Sequence, residues 1–270
     1  MTGTIEELFP GVYRRRHEAL DLNCGIVVGS DGVAVIDTRE TPTAGQDLLD
    51  AVRTVTDQPI RWVINTHWHW DHAWGNAAFS GSSIWGHTRC QEVLEAVGAD
   101  EIEAVKHWFR PERHHELDDL EVVPPTGTFD DMAFIDLGGR GLTLTFHGLA
   151  HTDADIVVGV TDAPVLYAGD IVEESAPPFF GDGYPLDWPL TLDSVIATRP
   201  EVVVPGHGDT IDLAFVEAQR SSIAAGVAIA RTAHAAGIPV AEVPVSGSPF
   251  PEPTFRELVA RSYLQLDADE

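Results

Sequence analysis

Thr66-His67-Trp68-His69-Trp70-Asp71-His72 is the stretch on which the reading of this chain turns. Four side chains able to bind a metal fall within six residues, in the order His-x-His-x-Asp-His. Imidazole nitrogen and carboxylate oxygen are the ligands preferred by zinc and other borderline divalent cations. Both intervening positions are Trp, so the ligands sit in bulky surroundings that exclude water. The largely apolar run Ile60–Ile64 reads as a buried strand leading into the motif. His67 and His69 are two apart, so in an extended segment both rings face one side. Asp71 and His72 fall where the chain turns into a helix expected over 71–79, and can face a second ion.

Upstream, 11–16, 24–29 and 32–37 read as short strands separated by turn residues such as Ser30-Asp31-Gly32. A helix follows, with Leu48, Leu49, Val52 and Val55 on one face; Thr43 with Gln46 has the spacing of a capping box. Downstream, 83–86 reads as a strand and 88–97 as an amphipathic helix. The charged, His-rich residues 100–125 extend this into a helical insertion near 87–120, over or beside the motif. Strands are then expected at 134–137, 142–146, 156–160, 165–168 and 202–204, with a helix at 190–197. A long Ala-rich helix over 211–236 is stopped by Gly237 and Pro239. The last helix starts near Pro253 and places Phe255, Leu258, Val259, Ser262 and Leu266 on one side. No long Gly/Ser or Pro linker divides the two β-rich halves. One domain over 1–270, with a helical C-terminal part at 211–270, is therefore expected: two sheets face to face, helices outside, the site along one edge.

Three strands of the second half run into further ligand-type residues beside Gly or Ala. These are His151 in Ala150-His151-Thr152, Asp170 in Ala168-Gly169-Asp170, and His207 in Pro205-Gly206-His207-Gly208. Bimetallic hydrolysis needs two cations about 3.5–4 Å apart. Zinc ions that activate water keep an open position and take about three protein ligands each. With one shared carboxylate the requirement is about seven ligands. His67, His69, Asp71, His72, His151, Asp170 and His207 supply that number.

In motif order, from Val35-Ile36-Asp37-Thr38 to Pro205-Gly206-His207-Gly208, this pattern resembles the metallo-β-lactamase-fold metallohydrolases over residues 11–208. The resemblance implies an α/β fold, the four-layer αββα sandwich. It also implies that His67, His69 and His151 hold one metal and Asp71, His72 and His207 the other. By the same implication Asp170 bridges them and Asp37 is a buried structural acid nearby. The best-known β-lactam-cleaving branch carries Cys where this chain has Asp170. The pattern is therefore closer to the glyoxalase II (hydroxyacylglutathione hydrolase) and lactonase side than to dedicated β-lactamases. Those glutathione thioester hydrolases bind substrate with basic residues in a C-terminal helical part. Here the tail from Ile211 offers Arg220, Arg231, Arg256 and Arg261 and no Lys.

The chain carries 16 Lys and Arg against 43 Asp and Glu, a formal −27. Such a surface repels phosphate backbones and anionic lipid, so neither nucleic acid nor a membrane is expected as partner. The one basic run, Arg14-Arg15-Arg16, is expected to be a strand or loop with solvated heads. Residues 1–10 lack the basic and apolar regions of a signal peptide, and no apolar stretch reaches a membrane span. Cys24 and Cys90 are expected to be free, buried thiols of a cytoplasmic protein. With no thiolate motif, any metal site uses N and O ligands.

The expectation is a metal-dependent hydrolase with two divalent ions, zinc first and iron or manganese as the other fits. A metal-bridging hydroxide would attack the carbonyl of a small-molecule ester, thioester or lactone, with Asp71 orienting it. Two alternatives stand beside this: a mononuclear iron oxidoreductase of the persulfide dioxygenase kind, and a β-lactam hydrolase. Asp37, Thr66 and Thr152 are candidates to anchor the outer nitrogens of the ligating His. The loop after Asp170, with Phe179, Phe180, Tyr184 and Trp188, is a candidate substrate wall, and Tyr184 a candidate oxyanion donor. Trp68, Trp70 and Trp74 are expected to serve packing. Of the remaining His, only His107, His114 and His115 are candidates to line the pocket. Substrate and oligomeric state are not legible in the sequence.

Overall fold

Two sheets carry the apolar runs of this chain, in a computed structural model that describes residues 3–118 and 120–268. The expected stretches reach residues 1, 2, 119, 269 and 270, which lie outside the described residues. The first sheet has strand order β1 to β7: Gly3–Phe9, Val12–His17, Asn23–Val28, Val33–Ile36, Ile60–Ile64, Ser83–His87 and Gly127–Phe129. Strands β1 to β4 pair antiparallel; β4 through β7 pair parallel. The second sheet runs β12-β11-β10-β9-β8. Its strands are β8 (Met132–Asp136), β9 (Gly141–Phe146), β10 (Ile156–Val160), β11 (Val165–Gly169) and β12 (Val202–Pro205).

The faces between the sheets form one apolar layer. Val27, Ile36 and Ile64 of the first sheet meet Leu142, Leu144, Val158 and Tyr167 of the second. Helix α1 (Pro42–Val55) covers the outer face of the first sheet with Leu48 and Val52, packed against Ile26, Val35 and Val63. Each such side chain taken fully out of water contributes about 1.5–3 kcal/mol. Near the motif lie a short α2 (Trp70–Ala73), α3 (Thr88–Ala96) and α4 (Ala99–Val105). On the far side α5 (Trp188–Ala197), α6 (Leu213–Ala235) and α7 (Glu252–Ala268) cover the second sheet. There Leu192, Ile223, Phe255 and Leu258 pack on Leu166, Ala168 and Val203. The result is the αββα layering that the resemblance implied.

Some local expectations shift. Helix α1 is capped by Thr41, whose side chain accepts the Ala44 N–H, with Pro42 in the first turn, so Thr43 is not the cap. The helix expected over 71–79 is α2 followed by a 3-10 segment, Trp74–Phe79. Strands β1 and β7 were not anticipated. The three Arg of β2 are not all solvated: Arg14 and Arg15 are buried, paired with Glu6 at 2.6 Å and Asp47 at 2.7 Å. Cys24 and Cys90 are free and buried. No described helix is long and apolar enough to cross a membrane.

Candidate metal centre

The ligand-type residues sit where parallel strands end, the usual position of sites in α/β sheets. Asp37 follows β4, His67 and His69 follow β5, Asp170 follows β11, and His207 follows β12. His151 lies in the loop between β9 and β10. Backbone bonds tie the two sheets at this edge: the Ile156 N–H donates to the Thr66 carbonyl and the Asn23 N–H to that of Gly206, both at 2.8 Å. Two glycines permit the close approach. Gly169 takes φ +53° against Thr66, and a Cβ on Gly206 would lie 1.7 Å from Asp170 Oδ1.

All seven residues singled out in the sequence come together. They form two groups able to hold a metal ion: His67, His69, His151 and Asp170, and Asp71, His72 and His207. Within each group the ligand atoms lie within 4.8 Å of one another. Asp170 stands between the groups. Its oxygens are 3.2 Å from His72 Nε2, 3.4 Å from both His207 Nε2 and His151 Nε2, and 3.8 Å from His67 Nε2. Asp71 Oδ2 lies 3.3 Å from His207 Nε2.

Each of the five His anchors its outer nitrogen on an oxygen. His72 Nδ1 donates to Asp37 Oδ2 at 2.8 Å and His67 Nδ1 to Thr66 Oγ1 at 3.1 Å. The Thr66 hydroxyl is itself committed to Asp37 Oδ2 at 2.8 Å. His207 Nδ1 donates to the Leu20 carbonyl at 2.7 Å, and His151 Nδ1 to that of Phe179 at 3.3 Å. His69 uses the opposite nitrogen, Nε2 donating to Asp182 Oδ2 at 3.1 Å. With the outer nitrogens so engaged, the five inner nitrogens converge: His69 Nδ1 and His151 Nε2 are 2.8 Å apart, His72 Nε2 and His207 Nε2 3.3 Å. His67 Nε2 and Asp170 Oδ1 are buried with no hydrogen-bond partner among the described residues. Each such orphan costs about 1–3 kcal/mol. A divalent cation in each group would relieve both, so the residues present fit the implied metals.

The electrostatics agree with this. Burial, reinforced by His72, pushes His67 well below its ordinary pKa, and burial with His69 brings His151 down to about 3. Both are therefore neutral, the ligating form. Burial opposes charging of His72 and His207, but the carboxylates of Asp170 and Asp71 outweigh it and hold both well above the usual value. Burial likewise favours neutral Asp170 and Asp71; His72 and His207 outweigh it and keep both carboxyls low. The two carboxylates thus draw positive charge into a buried place.

Sequence reasoning missed Asp182 and Glu173. Glu173 is pushed up to about 8 by burial and by Asp170, stands 3.7 Å from His151 Nδ1, and accepts the Phe179 N–H at 2.9 Å. Its place three residues after Asp170 was the only signal; Asp182 had none. Thr152 does not anchor a His. Its hydroxyl and N–H both go to Asp155, at 2.6 and 2.7 Å. Phe179 lines the cleft beside the centre, whereas Phe180 and Trp188 are fully buried anchors. Tyr184 lies under Arg261, away from the cleft lining. His107, His114 and His115 bond to nearby carbonyls and do not line the cleft, while Trp68, Trp70 and Trp74 do.

Comparison with known proteins matches residues 18–207 to the metallo-beta-lactamase superfamily. A linear primary-alkylsulfatase from Pseudomonas sp. is 24% identical over 69% of this chain, which spans only 41% of that protein's length. A metallo-beta-lactamase type 2 from Bacillus cereus is 22% identical, over 72% of this chain and 70% of the relative. Among solved structures, a metallo-beta-lactamase from Pontibacter korlensis superposes with TM-score 0.69 at 20% identity, over 83% of this chain and 99% of its own. A stereoselective inverting sec-alkylsulfatase from Pseudomonas sp. superposes with TM-score 0.79 at 16% identity, over 97% of this chain and 50% of its own. With the motif order, the αββα layering and this match over more than half its length, the chain belongs to the metallo-beta-lactamase superfamily.

Proposed function

We propose that this chain is a dinuclear metal-dependent hydrolase of a small-molecule ester, thioester or lactone. The observation that carries the reading is the common orientation of five imidazoles, each anchored on an outer oxygen with its other nitrogen turned toward Asp71 and Asp170. His67, His69 and His151 would hold one cation and Asp71, His72 and His207 the other, with Asp170 shared. Zinc suits this nitrogen and oxygen set best, with iron or manganese as the other fits. Two such cations supply a hydroxide nucleophile near neutral pH and polarise the oxygen of the scissile bond.

The chain's own residues position the reaction. Asp71 borders the cleft and would accept a hydrogen bond from the attacking water, orienting it. Asp37 holds the His72 proton on Nδ1 and, through Thr66, that of His67 as well. Trp68, Trp70 and Trp74 line the cleft beside the motif. A small molecule suits the cleft, and the −27 charge opposes polyanionic partners. The relatives' names add sulfate esters and β-lactams to the substrates worth testing; Asp170 in place of Cys favours esters over lactams.

Elemental analysis of protein purified without added metal, with a panel of esters, thioesters, lactones, alkyl sulfates and β-lactams, tests the reading. Two zinc ions per chain with turnover of an ester are expected. Asp71→Ala should bind one ion instead of two and lose turnover. One iron per chain with oxygen consumption, or full activity with two metals in Asp71→Ala, would overturn it.

A further inference from the structure

The cleft opening from the metal centre has a volume of about 1070 Å³. His69, Asp71, His151, Asp170 and His207 border it at one end. The wall beyond them is apolar, built by Trp70, Trp74, Val93, Val97, Val105 and Trp108. Trp70 and Trp74 come from the segment that carries the ligands; the other four come from the helical insertion. Trp108 is 60% exposed, a large ring beside an apolar wall with little to cover it. Such surface next to a site marks a place where an apolar ligand is buried.

The charges around the cleft restrict that ligand further. Among the described residues lining it, Arg89 is the only Lys or Arg. Its guanidinium is already engaged by Asp153 at 2.9 Å and Glu92 at 2.7 Å. Glu92, Glu101, Glu174 and Asp182 also line the cleft. An anionic group carried away from the metal centre would meet these carboxylates and no unpaired cation.

We infer that the wall formed by Trp70, Trp74 and the helical insertion is a subsite for an alkyl or acyl chain, uncharged at its far end, attached to the ester at the metal centre. The ester itself rests on the hydrolase reading above; the subsite does not. The chain belongs to a carboxylic ester or to a sulfate ester, and an n-alcohol is an uncharged probe that presents the same alkyl chain to the wall in either case.

The test begins with binding. The full-length, metal-loaded protein is titrated calorimetrically with primary n-alcohols from butanol to octanol. Kd should fall about fourfold per added methylene. Ala96→Trp, on an exposed position of α3 that lines the cleft, should fill the wall and flatten the series. Trp108→Ala should lower its slope. Affinity that does not change with chain length overturns the subsite even where short esters are turned over. A graded alcohol series with every ester left intact supports the subsite and removes the hydrolase reading. The octanoate-to-acetate ratio of kcat/KM, measured within each variant, should follow the binding slopes. A chain-length slope in the alkyl acetate or the alkyl sulfate series supports the subsite and names the head group.

Discussion

Asp37→Asn isolates the device that points the imidazoles inward. Asp37 is 2% exposed and accepts three hydrogen bonds at 2.8 Å. Oδ1 takes the Thr66 N–H; Oδ2 takes the Thr66 hydroxyl and His72 Nδ1. The backbone sits at φ +60°, a conformation Asn adopts as readily as Asp, so the substitution adds no backbone strain. The amide oxygen of Asn can still accept the Thr66 N–H. The amide nitrogen then replaces Oδ2 and presents protons where the carboxylate accepted them. His72 must therefore carry its proton on Nε2, the atom facing Asp170. The Thr66 hydroxyl must turn toward His67 Nδ1, which puts the His67 proton on Nε2 too. One lone pair is lost from each metal group. Loss of such an outer partner costs about 10–100-fold in metal affinity, and here both groups are affected. The metal-free protein, whose bonds can rearrange, should lose only about 1–3 kcal/mol. Asp37→Ala instead leaves three buried donors without an acceptor and should cost about 3 kcal/mol or more. Zinc competition against a chelator, with urea unfolding of the metal-free proteins, separates the two effects. Zinc affinity within about twofold of the parent in Asp37→Asn would refute the tautomer argument.

Three further perturbations follow from the same geometry. Gly206→Ala places a methyl 1.7 Å from Asp170 Oδ1, so Asp170 must move; bound zinc should drop while the circular dichroism spectrum persists, and unchanged zinc content would contradict the crowding. Trp188→Ala removes a fully buried ring packed on Phe180 and His151 and should cost about 3–5 kcal/mol in urea unfolding; a loss under about 1 kcal/mol would show that the site collapses to fill the hole. Burial, reinforced by Arg39 and Arg15, brings His17 down to about 2 from 6.5. The unfolded chain binds a proton there below pH 6.5 and the folded chain does not until about pH 2, so stability present above 6.5 is lost as pH falls. The parent should lose about 1.4 kcal/mol per pH unit more than His17→Leu between pH 6.5 and 4.5; parallel stability curves would sink this account.

What could be read from the sequence followed from how each kind of interaction is encoded. Candidate metal ligands are particular side chains at strand ends, so His67 to His72, His151, Asp170 and His207 stand out by residue type and spacing alone, as do the interior strands β5 and β10 with their largely apolar runs. Strand β1 has no such run. It is an edge strand whose Glu6 pairs with Arg14 of β2, and charge pairing between strands leaves no periodic trace in either alone. The supports of the ligands were legible only where a side chain provides them. Asp37 and Thr66 could be named, but His207 leans on the carbonyl of Leu20 and His151 on that of Phe179, and every residue has a carbonyl. The same reasoning separates chemistry from specificity. The candidate metal end of the cleft is set by residue types that few alternatives can replace. The apolar wall is set by where Val93, Val105 and Trp108 of the insertion come to rest, and any large apolar residue brought there by the fold would serve. Substitutions among the ligands should therefore abolish metal binding. Substitutions in the wall should change which chain length the protein prefers while the metal centre stays intact.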